Sequence, residues 1–282
     1  MSNYVIRNMT IDEVKTIAIE WAAAEGWNPG LHDYLAFYNA DPNGFFIGLL
    51  NGVPIACISA ISYEGKFGFI GFYIVKPGFR GNGYGLKIWN KGIEYLEHHN
   101  IGLDGLVAQQ SNYAKSGFKF DYSNIRYEGK AFAARIKSNN IISYSNEYFN
   151  ILAEYDNNFF PVSRREFLKH WYNLPESATF LSIESDKISG YATLRKCRVG
   201  YKIGPLFAET TEIAESLFAS CNNLAEAGAP IYLDTPEVNY NAVSLAEKNE
   251  MKQVFGTARM YTKEKPNINV DRIYGVTTFE LG

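Results

Sequence analysis

The spacing of apolar positions changes several times along the chain, and each change predicts an element. "YVIRNMT", residues 4–10, reads as a strand. In "TIDEVKTIAIEWAAAEGW", Val14, Ile17, Ala18 and Trp21 recur at helical spacing. Thr10 and Glu13 ahead of them form a capping box, two side chains that satisfy free N–H groups of a first turn. "GLHDYLAFYNADP" is a second, short helical segment ended by Pro42. Then come "GFFIGLLN", "VPIACISAISYE" and "KFGFIGFYIVKP", three segments rich in β-branched and aromatic residues. Asn51-Gly52 parts the first two, as a two-residue hairpin requires, and Glu64-Gly65-Lys66 parts the next two. The result is an antiparallel meander. The next helix has the stripe Leu86, Trp89, Ile93 and Leu96, followed by a strand "LDGLVAQ" and by "SNYAKSGFKF".

Near residues 130–140 the chain turns polar, with "KSNN" as the linker candidate, and the pattern then restarts. "IISYSN" reads as a strand and "SRREFLKHWYNL" as a helix; "ATFLSIES", "KISGYATLRKCRV" and "YKIGPLFA" read as strands. A helix with the stripe Ile213, Leu217, Cys221 and Leu224 follows, then the strand "PIYLDTP" and the helix "NAVSLAEKNEM". Repetition of the order predicts a duplicated domain, residues 1–135 and 140–282, each an α/β (α+β) mixed sheet flanked by helices.

Composition narrows the function. At 46% apolar residues the chain is not disordered. Its 27 basic and 30 acidic residues give a net charge of −3, which argues against nucleic acid and leaves room for a cationic small substrate. The N-terminal segment has no continuous apolar core of a signal peptide, and no apolar run nears the roughly 20 residues that span a bilayer. Cys57, Cys197 and Cys221 lie far apart in apolar contexts, as expected for buried thiols of a cytoplasmic protein. The 4 histidines are not at metal-ligand spacing, so no metal is expected.

The chemistry centres on "FYIVKPGFRGNGYGLKIW", where a strand feeds a glycine-crowded turn and then a helix. Gly81, Gly83 and Gly85 do not have the G-x-G-x-x-G spacing of a dinucleotide turn, and no Lys-Ser or Lys-Thr follows as in a P-loop. The pattern present is R-x-x-G-x-G, Arg80 to Gly85. Without Cβ atoms, consecutive backbone N–H groups can turn toward one anion, and the helix N-terminus adds partial positive charge. A turn that serves only packing is the alternative reading.

This turn, with Val75 and Pro77 before it as V-x-P, resembles the acetyl-CoA motif of the GNAT acyltransferase superfamily. "AAAEGWNPG", "DPNGFFIG", "RREFLKHW", "IGPLFAET" and "RMY" extend the resemblance to a subgroup of tandem GNAT proteins over nearly the whole chain. The resemblance implies acetyl-CoA as cosubstrate. It also implies a splayed strand, Phe72, Tyr73, Ile74 and Val75, whose backbone pairs with the pantetheine arm, and turn amides at Arg80, Gly81, Asn82, Gly83, Tyr84 and Gly85. A second match is Y-x-x-x-G-F, Tyr113 to Phe118, which makes Tyr113 the general acid for the departing thiolate, with Asn112 beside it. Over the acceptor channel the family places the loop between the first two helices, here Trp27, Asn28, Asp33 and Tyr34, with Tyr73 opposite. These suit a small-molecule amine.

The chain departs from the family in one respect: residues 67–86 contain no Asp or Glu to take the proton of the amine. Glu64, Asp33, Asp234 or a chain of waters are the candidate bases. The second half has lost the motif. Ile203 to Glu209 carries one glycine, no opening Arg, and Pro205, which lacks an N–H. Ala246 stands where Tyr113 does, and Glu250-Met251 where Gly117-Phe118 do. The second domain therefore reads as a degenerate copy that walls the acceptor groove or dimerises, and the chain as a monomer or homodimer with one CoA site. A non-catalytic CoA-binding regulator, or a transferase of longer acyl or aminoacyl groups, are the alternatives.

Overall fold

The computed structural model describes residues 3–136 and 140–282; most of the "KSNN" linker, Lys137 to Asn139, lies outside the described residues. The first half runs β1 (Tyr4–Asn8), α1 (Ile11–Glu13), a π-helical turn (Val14–Ile19), α2 (Glu20–Ala24), α3 (Asp33–Ala40), β2 (Phe45–Leu50), β3 (Val53–Tyr63), β4 (Phe67–Val75), α4 (Tyr84–Tyr95), β5 (Asn100–Leu106), α5 (Gln110–Lys115) and β6 (Lys119–Lys130). The second repeats it: β7 (Ile141–Ser143), α6 (Phe149–Asp156), α7 (Arg165–Trp171), β8 (Ser177–Glu184), β9 (Lys187–Lys196), β10 (Tyr201–Ala208), α8 (Thr211–Leu224), β11 (Pro230–Pro236), α9 (Tyr240–Lys248) and β12 (Lys252–Tyr261). β13 (Ile273–Gly275) and a tail to Gly282 follow.

Local signals act as the sequence predicts. The Thr10 hydroxyl accepts from the Glu13 N–H, and the Glu13 carboxylate accepts from the Thr10 N–H. Asn51 and Gly52 both take positive φ, as do Glu64 and Gly65, so both turns of the meander follow the right-handed twist of their strands. The helix stripes are corrected at their ends. Leu86 and Leu224 are exposed, whereas Ile88, Trp89 and Gly92 form the buried face of α4 and Leu96 is buried just past its end.

The two sheets are one. Strand order is β1-β2-β3-β4-β5-β12-β6-β11-β10-β9-β8-β7, with β13 pairing β10. β12 of the second half thus lies between β5 and β6 of the first, and β6 lies between β12 and β11. An apolar core spans the halves, with Phe37 of α3 stacked on Trp171 of α7 at 6.0 Å. Buried ion pairs cross the same boundary: Asp104 of β5 takes both guanidinium arms of Arg259 of β12 at 2.8 and 2.6 Å, and Asp33 of α3 pairs with Arg195 of β9.

Candidate active site

The break between β4 and β5 is the centre of the site. The two strands pair in parallel only from Phe67 to Ile70 against Asn100 to Leu103, then separate. On its other edge β4 loses register with β3 between Cys57 and Ser59, whose partners are Ile74 and Gly71, so Phe72 and Tyr73 form a bulge. Phe72 sits at φ +46°, an unusual conformation for a bulky residue, costing about 1–3 kcal/mol. Its buried ring is held against Phe37 at 5.7 Å and Phe45 at 6.3 Å, and that packing keeps the strand bent away from β5.

An open groove of about 530 Å³ leads from the glycine turn to this break, lined by Glu25, Trp27, Tyr73, Ile74, Val75, Arg80, Gly81, Gly83, Gly85, Leu86, Leu106, Gln109 and Tyr113. Gly81 and Gly83 have φ of +77° and +79°, and a Cβ on either would project into open space. The turn therefore needs glycine for its backbone angle. Gly85 is different: a Cβ there would come within 2.7 Å of the Tyr73 hydroxyl, so it lets α4 approach β4. Arg80 donates to the Val75 carbonyl at 2.7 Å and pairs with Glu25, bracing the turn. Asn82 bonds the Arg80 carbonyl, and its side chain and Tyr84 stay outside the groove lining. Asn112 also lies outside, bonded to Gln109 and Lys115.

Tyr113 stands where the groove meets an inner cavity. Its ring crosses β5 at Gly105, where any Cβ would lie 2.2 Å from Tyr113 Cε2. Trp89 flanks it at 5.6 Å and Tyr73 flanks Trp89 at 5.2 Å. Burial, then the neighbouring Tyr73, push the Tyr113 phenol up to about 12. It is therefore protonated at every physiological pH. It is also a weaker acid than an ordinary tyrosine.

The inner cavity, about 60 Å³, is lined from both halves of the chain. Trp27, Phe72, Trp89 and Tyr113 come from the first half. Phe255 and Thr257 of β12 and Phe279 and Glu280 of the tail come from the second. The Thr257 hydroxyl is buried without a hydrogen-bond partner among the described residues. Of the acceptor residues expected from sequence, Trp27 and Tyr73 line the cavity, and Arg126 fixes the Trp27 carbonyl at 2.6 Å. The others are drawn away by partners. Asn28 clamps the Val199 backbone through both its amide atoms. Asp33 is buried against Arg195 and the Gly30 N–H. Tyr34 lies under Lys15.

Two of the candidate bases are engaged or placed elsewhere. Asp234 takes both arms of Arg126 at 2.6 and 2.7 Å, and Glu64 is exposed at a turn. The sequence reading did not single out Phe255, Thr257, Phe279 or Glu280; they reach the site only through strand exchange and the path of the tail.

The matching break in the second half is filled. β10 and β11 pair in parallel only at Tyr201–Ile203 against Ile231–Leu233. β13 then inserts between them, pairing β10 at Leu206 and Phe207, while the Val276 N–H bonds the Asp234 carbonyl at 2.8 Å. The chain itself occupies the place that remains a groove in the first half.

Comparison with known proteins agrees with this duplication. Residues 13–118 match the model described as "Acetyltransferase (GNAT) family", and residues 152–275 match "Acetyltransferase (GNAT) domain". A holothin acyltransferase of Pseudoalteromonas sp. (strain SANK 73390) is 29% identical over 94% of this chain and 90% of its own length. A crystal structure from Pyrococcus horikoshii superposes with a TM-score of 0.84 at 22% identity, over 99% of this chain and 96% of that one. A tandem GNAT protein from the clavulanic acid biosynthesis pathway superposes at 0.61 and 10% identity, over 93% of this chain and 100% of that one. Among the described residues there is no helix long and apolar enough to cross a membrane and no cluster of metal-ligating side chains.

Proposed function

The chain belongs to the GNAT superfamily, two domains of that fold in one polypeptide, and from that premise we propose that it moves an acetyl group from acetyl-CoA to a small-molecule amine by direct attack. The observation that carries this reading is the bulged end of β4, which has parted from β5 and faces an open groove. Backbone groups of Phe72 to Val75 that face the β5 side, other than the carbonyls held by Arg80 and Cys57, can hold an amide-rich arm and polarise a thioester carbonyl. Gly81 and Gly83 line the outer groove with no side chain in the way, so N–H groups of the turn can meet a pyrophosphate there. Tyr113, at the inner end, supplies the proton to the departing sulfur.

In this reading the first domain binds the acyl donor, and the second, degenerate domain contributes wall residues to the acceptor cavity. The occupied break between β10 and β11 supports one CoA site per chain. The aromatic lining from Trp27, Phe255 and Phe279 favours an acceptor with a flat or apolar body.

The test is calorimetry with acetyl-CoA and with longer acyl-CoAs, followed by thiol release across a panel of amines. Tight acetyl-CoA binding with turnover is expected. The relative's name specifies an acyl group without its length, so a longer donor is the second reading, and preference for a long chain would replace the acetyl assignment. Binding with no turnover on any amine would favour the regulatory reading.

A further inference from the structure

No acid lies on β4, so the proton of the attacking nitrogen has to leave by another route. The carboxylates that line the inner cavity are Asp104 and Glu280. Asp104 is committed: Arg259 grips both its oxygens and Asn124 donates to it at 2.8 Å. Glu280 is buried at 4% exposure, and its carboxylate makes no hydrogen bond or ion pair among the described residues. We propose that Glu280, carried into the first domain's site by the C-terminal tail, is the general base that accepts the proton of the acceptor amine. This deepens the acyltransfer reading and rests on it.

Several independent features put Glu280 at the reacting end of the groove. Its backbone runs over Gly71, the residue just before the bulge, so closely that a Cβ there would lie 2.0 Å from the Glu280 carbonyl oxygen. Neighbouring tail residues are fastened on either side. The Tyr63 hydroxyl donates to the Leu281 carbonyl at 3.1 Å, the Leu281 N–H donates to Thr278 at 2.9 Å, and Arg164 donates to the Thr277 hydroxyl at 2.9 Å. Thr257, with its unpartnered hydroxyl, lines the same cavity and offers a second polar contact to an amine.

The charges around Glu280 suit the role. Arg126 of β6, Arg195 of β9 and Lys202 of β10 face it as cations, and Asp33 of α3 and Asp234 of β11 as anions. Arg126 is taken by Asp234 and Arg195 by Asp33; Lys202, whose ammonium burial disfavours and Asp234 and Glu280 favour, is the remaining cation facing Glu280. Burial, the largest influence, raises the Glu280 carboxyl above the ordinary range, and Lys202 and Arg126 limit the rise. A buried carboxylate so placed takes a proton more readily than an exposed glutamate.

The step balances with the groups named. Glu280 takes one proton from the ammonium nitrogen, the lone pair so freed forms the C–N bond to the thioester carbon, and the second N–H proton leaves the nitrogen of the product amide to water. The C–S bond breaks with its electron pair on sulfur, and sulfur takes the Tyr113 phenol proton. Glu280 then returns its proton through solvent to the tyrosinate, restoring both groups.

The test uses Glu280→Gln, which keeps the shape of the side chain, and two probe acceptors. Benzylamine is an ammonium at neutral pH; 4-methoxyaniline is already neutral. Glu280→Gln should lose about 100-fold or more in kcat with benzylamine, a typical general-base effect. It should lose only a few-fold with 4-methoxyaniline and bind acetyl-CoA unchanged. The wild-type kcat for benzylamine should rise with pH through one ionisation that the variant lacks. Equal losses on both amines, or an unchanged pH profile, would make Glu280 a structural residue and overturn the proposal. A variant that bound acetyl-CoA and still acetylated benzylamine at the wild-type rate would remove Glu280 alone. Wild-type protein that bound no acetyl-CoA would instead remove the reading of the groove on which the proposal stands.

Discussion

The turn at Gly83 offers the sharpest test of where the phosphates go. Gly83 has φ of +79° and ψ of −5°, and its missing Cβ would meet nothing within 4 Å. Substitution therefore carries a backbone cost and no steric one. That cost is about 1 kcal/mol, equivalent to a fall in Tm of about 2–4 °C. Asn and Asp are nearly the same size and both tolerate this conformation better than most residues. Gly83→Asn and Gly83→Asp should therefore fold alike and differ by one charge.

A carboxylate within about 5 Å of a phosphate, at an effective dielectric constant of ~40–80, meets a repulsion of about 0.8–1.7 kcal/mol. With a second phosphate somewhat further off the sum is about 1.5–2.5 kcal/mol, roughly a 10- to 70-fold loss of affinity. Calorimetric titration of both variants with CoA, at about 20 mM and 500 mM salt, reads this difference directly. The gap between Asp and Asn should shrink at high salt as screening sets in. If Gly83→Asp binds CoA within about three-fold of Gly83→Asn at low salt, no phosphate sits at this turn.

Three further outcomes are expected. Tyr113→Phe should leave the Kd for acetyl-CoA unchanged and lower kcat by about 10- to 100-fold, the low end for general-acid catalysis because its phenol is held near 12; stopped-flow thiol release would measure it. Asp156→Ala should destabilise the fold by about 3–5 kcal/mol in urea unfolding, because it strands the Arg164 guanidinium, which is bonded to both Asp156 oxygens at 2.8 Å in the core. Glu13, held down to about 2 first by Arg7 and also by the Thr10 cap, has a folded pKa below its unfolded one. Its contribution is therefore complete above about pH 4.5 and disappears as pH falls toward 2, so Glu13→Gln should flatten that limb of the stability curve.

What the sequence disclosed was whatever depends on near neighbours. The Thr10–Glu13 box, the Asn51-Gly52 turn and the Arg80–Gly85 turn each owe their geometry to residues a few positions apart. Periodicity failed where an apolar side chain lines a groove: Leu86 is in phase with the α4 stripe yet lies in the groove wall. It failed more deeply for groups whose partners come from the other half. Nothing near Asp33 in sequence indicates that Arg195 will bury it, and nothing near Asn28 indicates Val199. An apolar segment such as β12 can be recognised as a strand, but not as one that enters the sheet between β5 and β6. Glu280, a single acid in "TTFELG", belongs to no motif; only the course of the tail over Gly71 gives it a setting.

That course has a bearing on how the duplicated chain could change. The segment that closes the break between β10 and β11 continues, within a few residues, into the wall of the cavity beside β4. The two copies are therefore not spare parts for each other. Withdrawing residues 273–282 would expose the second copy's cleft and at the same stroke strip Phe279 and Glu280 from the first. A symmetrical enzyme with two working clefts is out of reach by trimming this tail. Asymmetry between the halves is built into the path of one short peptide, and a substitution that loosens it at either end should be felt at both.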